Sequence, residues 1–113
     1  MELSTRPLPG RADAIVVSVV GEIDSQSAEQ FRQDLVALVN SDVKHLVLNL
    51  SDLSYINSSG LGALVAAYKR VRTLDGSLRL CHVRGAIAEV MKLIRLHTIV
   101  DIFDTEEAAC ASL

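Results

Sequence analysis

The chain has 113 residues, half of them hydrophobic and 4% aromatic, with two cysteines and a formal net charge of −3. This length suits one domain with its own hydrophobic core, and the weak negative charge disfavours a nucleic-acid partner, which needs a basic surface. No apolar run approaches the roughly 20 residues of a membrane span. Cys81 and Cys110 form no disulfide framework and the first residues lack a signal-peptide core, so we expect a cytoplasmic protein without a membrane partner.

Strands and helices alternate along the chain. Residues 1–12 contain both prolines and indicate an irregular or edge segment. β-branched and aliphatic runs predict strands at 15–20, 46–50, 78–83 and 99–103. Amphipathic spacing and capping residues predict helices at 27–40, 59–73, 86–96 and 106–112. This order predicts an α/β fold over residues 1–113, with a mixed, mostly parallel sheet of four to five strands and about four helices.

The carboxyl ends of parallel strands and the helix starts that follow them gather at one edge of such a sheet. The loops that carry Asp24 and Ser58 both lead from a strand into a helix, so we expect them to share that edge. Ser27, with Gln30 three residues later, predicts a capping box at the first helix. The polar residues between the strand at 46–50 and Ser58 predict a turn ahead of the serines.

Motifs for catalysis and for cofactors are missing. Gly60 and Gly62 resemble the start of a dinucleotide fingerprint, but Val65 stands where the third glycine is needed. The three histidines have no partner at metal-ligand spacing, and no nucleophile is paired with a base. We therefore expect no metal, no cofactor and no enzymatic activity. The two glycines instead indicate a tight helix entry and a close approach of that helix to the sheet.

Ser58 and Ser59 stand where the second helix begins. Backbone N–H groups are unpaired at a helix start and the macrodipole is positive there. A hydroxyl at this place can cap the helix, or it can accept a phosphoryl group whose charge the helix start favours. Spacing alone leaves both roles open.

Three short stretches resemble the STAS domain of bacterial anti-sigma factor antagonists. Residues 21–24 read G-E-I-D and are followed by an A-E pair, as in the family. Residues 46–54 and 58–62 are similar to its strand and to its D-S-S-G-L-G signature. From residue 13 onward the order of elements is similar as well, so the resemblance implies a STAS-like fold.

The resemblance implies a partner-switching protein. In the family, the first serine of the signature is phosphorylated by an anti-sigma factor that is an ATP-dependent serine kinase, and a serine phosphatase reverses the modification. The unphosphorylated antagonist binds the kinase and frees a sigma factor. Carried over, Ser58 is the phosphorylation site, beside Ser59 as the candidate cap. Asp24, Asn57, Ser58, Ser59 and Gly60 are the expected partner-binding residues.

Asn57 departs from the family, which usually has aspartate at this position. The missing carboxylate lessens repulsion of a phosphate on Ser58, but it also removes a charged acceptor for partner donors. An amide keeps the shape and a carbonyl oxygen, so the loop itself is expected to persist. The alternative function is a STAS scaffold without phosphorylation, or a transport-associated STAS subunit.

Overall fold

A computed structural model describes all 113 residues, and its centre is one five-stranded sheet whose strands lie in chain order. The strands are β1 (Glu2–Leu8), β2 (Arg11–Ile23), β3 (His45–Ile56), β4 (Ser77–Cys81) and β5 (Asp101–Phe103). The helices are α1 (Ala28–Leu38), α2 (Ser58–Thr73), α3 (Gly85–Leu93) and α4 (Glu106–Ala111), with a 3₁₀ turn at Leu96–Thr98. β1 runs antiparallel to β2, and the other pairs are parallel. The predicted fold class is confirmed.

The sheet is buried on both faces, which explains why β2 reads as a continuous aliphatic run. Val17 pairs with Leu48, and both belong to a core of 23 residues shared with α1, α2 and α3. Val16 pairs with Val47 on the other face, where a smaller cluster packs under α4. Successive side chains of a strand point to opposite faces, so adjacent valines supply both cores.

β3 is longer than its sequence predicts. Residues 51–56 continue the strand, so the turn predicted between residue 50 and the serines is wrong over these residues. The extension pairs with β2 on one side only, and the register shifts twice, between Ser18 and Val20 and between Gly21 and Glu22. These irregularities break the alternation of buried residues that marks a strand, because each bulge moves the following side chains to the other face. The segment 1–12 consists of the edge strand β1, a turn at residues 9–10 and the first two residues of β2.

Two predicted ends move because the backbone enters the left-handed region. His82 has φ +57°, so β4 ends at Cys81 and not at residue 83. The His82 Nδ1 atom lies 2.8 Å from a guanidinium nitrogen of Arg84, which satisfies the ring. Arg95 has φ +60°, so α3 ends at Leu93 and a 3₁₀ turn replaces its expected last turn.

Neither cysteine forms a disulfide. Cys81 is fully buried, and its thiol lies 3.6 Å from the carbonyl oxygen of Leu48. Burial raises the pKa of this thiol to about 11, so the reactive thiolate is scarce near neutral pH. No helix has both the length and the apolar content that crossing a bilayer requires.

Candidate functional site

The ends of β2 and β3 lie side by side at one edge of the sheet. Ile23 pairs with Ile56, and the backbone amide of Asn57 donates a hydrogen bond to the Ile23 carbonyl oxygen at 3.0 Å. The loop that begins at Asp24 and the loop that begins at Asn57 therefore leave from adjacent positions. The predicted shared edge is confirmed.

Asn57 is the N-cap of α2. Its backbone is extended, and its side-chain oxygen accepts a hydrogen bond from the amide of Gly60 at 2.8 Å. The prediction that Ser59 caps this helix is wrong, because the helix begins at Ser58 and the capping position falls one residue before it. Asparagine and aspartate are equally good N-caps. The loop thus keeps its form with an amide at position 57, as expected.

Ser58 and Ser59 form the first turn of α2, and both are exposed. Neither hydroxyl makes a hydrogen bond within the protein. Helix geometry also leaves their two backbone amides without an intrahelical acceptor. The Asn57 side chain engages only the third amide of the turn, at Gly60. The two serines thus offer free hydroxyls beside free N–H groups.

Gly60 lets α2 pack closely on the strand ends. A Cβ atom at this position would lie 2.6 Å from Ile56 Cγ1 and 2.7 Å from Ile23 Cγ2, which is well inside van der Waals contact. Both isoleucines are buried and have little room to move. Gly62 differs, since a Cβ there would meet nothing within 4 Å. The close approach predicted from the two glycines is confirmed at Gly60 and wrong at Gly62.

Asp24 organises the entry to α1. One carboxylate oxygen, Oδ1, accepts hydrogen bonds from the amides of Gln26 and Ser27 at 3.0 Å each, and from the Ser27 hydroxyl at 3.1 Å. The backbone amides of Ser27 and Gln26 and the Ser27 hydroxyl hold the pKa of Asp24 below its ordinary value. The predicted capping box is wrong, because the Gln30 side chain donates to Asp34 at 2.7 Å instead.

Tyr55 is a member of this edge that the sequence did not single out. Its side chain is 49% exposed, on a strand end where Leu53 and Ile56 are buried. It lines a hollow of about 100 Å³ between the end of β3 and the start of α3, to which Ala86, Ile87 and Val90 also contribute. The sequence predicted a turn after residue 50, and it therefore missed the end of β3 that presents Tyr55.

Comparisons with known proteins agree with this fold. The STAS domain model matches residues 6–109. The chain is 36% identical over 88 residues to the anti-sigma-B factor antagonist of Bacillus subtilis, covering 78% of this chain and 80% of that one. It is 28% identical over 100 residues to the anti-sigma F factor antagonist of Paenibacillus polymyxa, covering 88% and 86%.

The fold has also been solved in the anti-sigma factor antagonist SpoIIAA. The unphosphorylated form matches with a TM-score of 0.75 and 19% identity, covering 98% of this chain and 96% of that one. The phosphorylated form from Bacillus matches with a TM-score of 0.73 and 21% identity, covering 99% and 100%. The chain therefore belongs to the STAS domain family, among the anti-sigma factor antagonists.

Proposed function

We propose that this chain binds an anti-sigma factor while Ser58 is unmodified, and that phosphorylation of Ser58 ends the binding. Release of the anti-sigma factor's sigma factor is the output. The observation that carries the proposal is the exposed, unbonded hydroxyl of Ser58 at the start of α2. By family resemblance, the anti-sigma factor is itself the ATP-dependent serine kinase, and a serine phosphatase restores the unmodified state.

A phosphate on Ser58 leaves the fold intact. It adds nearly two negative charges next to free amides at a helix start. The macrodipole stabilises such a charge by about 0.3–1 kcal/mol, so nothing in the helix opposes the modification. The near-equal likeness of this chain to both phosphorylation states of SpoIIAA supports a fold that does not change.

The same phosphate is costly inside an interface. A dianion that is removed from water without a partner costs several kcal/mol, and about 3 kcal/mol already lowers an association constant by roughly a hundredfold. The switch is therefore a change in surface charge at the edge formed by Asp24, Asn57, Ser58, Ser59 and Gly60, with Tyr55 beside it. The regulated step is binding, and the chain performs no catalysis.

Asn57 tunes the switch without disabling it. Its side chain caps α2 as an aspartate does, so the serines keep their places. An aspartate would add a negative charge beside the phosphate, and the amide avoids that repulsion. The phosphorylated state is thus easier to reach in this chain than in relatives with an acid at this position.

Phosphorylation with the cognate anti-sigma factor and ATP tests the proposal directly. We expect one phosphate per chain, located on Ser58 by mass spectrometry of the intact protein and of its peptides. Ser58→Ala should accept none, and Ser59→Ala, the matched control, should still accept one. Incorporation at Ser59 or Thr73 would refute the assignment.

Binding to the same anti-sigma factor, measured by calorimetry, tests the interface. Ser58→Asp should weaken binding by roughly a hundredfold, whereas Ser58→Ala should bind as well as the parent chain. A partner that is indifferent to Ser58→Asp would indicate the alternative function, a constitutive scaffold or a transport-associated subunit.

A further inference from the structure

A groove runs along one flank of α3. It lies between α3, the 3₁₀ turn at Leu96–Thr98 and the edge strand β5, and has a volume of about 480 Å³. Six residues line it: Val83, Ala88, Met91, Lys92, His97 and Ile102. The hollow beside Tyr55 lies on the other flank of the helix, against Ala86, Ile87 and Val90. The groove is thus separate from the proposed switch.

The groove exists because α3 stops early and β5 is short. The left-handed backbone at Arg95 turns the chain after Leu93, and β5 contributes only three residues to the sheet. No further strand or helix covers the outer side of β5. Ile102 consequently remains 37% exposed on the face that it shares with its buried register partner, Leu80.

The lining combines an apolar floor with positive charge at the rim. Val83, Ala88, Met91 and Ile102 supply the apolar surface, and no acidic side chain lines the groove. Lys92 is exposed and makes no ion pair or hydrogen bond, although several other cations of the chain do. The His97 ring, also exposed, makes no hydrogen bond. The volume of the groove falls in the range of small-molecule sites, about 300–1,000 Å³.

We propose that this groove binds a small amphiphilic carboxylate. The apolar tail of the ligand lies against Ala88, Met91 and Ile102, and its carboxylate lies at Lys92, with His97 as a second donor. Charge complementarity selects an anion over a neutral or cationic amphiphile. The volume of the groove suits a single monomeric molecule and not a membrane surface.

Decanoate is a suitable probe below its micelle concentration, with amide shifts of the isotope-labelled full chain as the readout. We expect saturable shifts confined to α3, the 3₁₀ turn and β5. Decanol, which lacks the charge, should bind about fivefold more weakly, as a partly exposed ion pair allows. Hexanoate should bind tenfold or more weakly, since each partly buried methylene contributes roughly a factor of two.

Variants separate the two parts of the site. Lys92→Gln should lower the affinity for decanoate to the affinity that the parent chain has for decanol, and it should leave the affinity for decanol unchanged. Lys69 is an exposed cation on α2, and the control variant Lys69→Gln should change neither affinity. Ala88→Phe should fill the groove and abolish the binding of both decanoate and decanol. An amide spectrum that is unchanged outside the groove would show that this variant is folded. Unsaturable or scattered shifts, an unaffected Lys92→Gln variant, or binding to anionic vesicles but not to monomeric decanoate would overturn the proposal.

Discussion

The two loops at the shared edge use the same capping chemistry and leave different groups free. At the entry to α1, one oxygen of Asp24 accepts three hydrogen bonds from its own turn. At the entry to α2, Asn57 accepts a single hydrogen bond, and the serines after it keep both hydroxyls free. The first loop is built around its charged side chain, whereas the second holds its polar side chains out to solvent.

Under the proposed function, this contrast gives the two loops different roles. A partner that meets Asp24 finds a carboxylate already committed through Oδ1, with Oδ2 as its free oxygen. A partner or a kinase that binds at the start of α2 would contact hydroxyls that make no hydrogen bond within the protein. The role of Asp24 in partner binding stays a prediction, and its role in shaping the loop is structural.

The largest expected effect concerns the packing under the second loop. Gly60→Ala should destabilise the fold by about 1–2 kcal/mol, because overpacking against Ile23 and Ile56 outweighs the gain in helix propensity. Gly62→Ala, the matched control two residues along, should stabilise it by about 0.5–1 kcal/mol. Urea unfolding measures both, and effects of the same sign would show that the helix start is not seated on the strands.

The cap of α2 should have a smaller effect. Asn57→Ala removes the acceptor for the Gly60 amide and should cost about 1 kcal/mol in unfolding free energy. Asn57→Asp retains an acceptor, so it should change stability by only a few tenths of a kcal/mol. Equal losses in the two variants would contradict the capping role, and thermal unfolding of both at neutral pH distinguishes these outcomes.

The smallest effect should appear at the first loop and only in acid. The lowered pKa of Asp24 adds stability that is present above the unfolded-state pKa of about 3.9 and is lost as pH falls through the folded-state pKa. Asp24→Asn cannot titrate, so the stability difference between the parent chain and this variant should shrink below about pH 4. Urea unfolding across a pH series would show two parallel curves if the carboxylate were unperturbed.

The sequence predicted those features that depend on the order and polarity of residues. The alternation of strands and helices, the mostly parallel sheet and the shared edge of Asp24 and Ser58 follow from such patterns, and the structure confirms them. The cap of α4 is of the same kind, because threonine is a preferred N-cap and the Thr105 hydroxyl accepts a hydrogen bond from the Ala108 amide at 3.1 Å. Local chemistry decides these features.

Of the features that the sequence missed, the start of α2 is local, since asparagine is itself a preferred N-cap, and the others depend on tertiary contacts. The start of α2 lies one residue earlier than predicted, so Asn57 and not Ser59 takes the capping position. The length of β3 depends on bulges opposite β2, and the exposure of Tyr55 follows from that length. The different surroundings of Gly60 and Gly62 depend on two isoleucines that lie elsewhere in the chain. No local sequence pattern predicts the strand length, the exposure of Tyr55 or the different surroundings of the two glycines.

The strand order has a consequence for how the molecule assembles. Each strand lies next to its predecessor in the chain, so every connection in the sheet joins immediate neighbours. No strand pairs with a partner from a distant part of the chain, so the contacts of the sheet stay comparatively local. Low sequence separation between contacting residues favours fast folding, and a domain of this size folds as one cooperative unit.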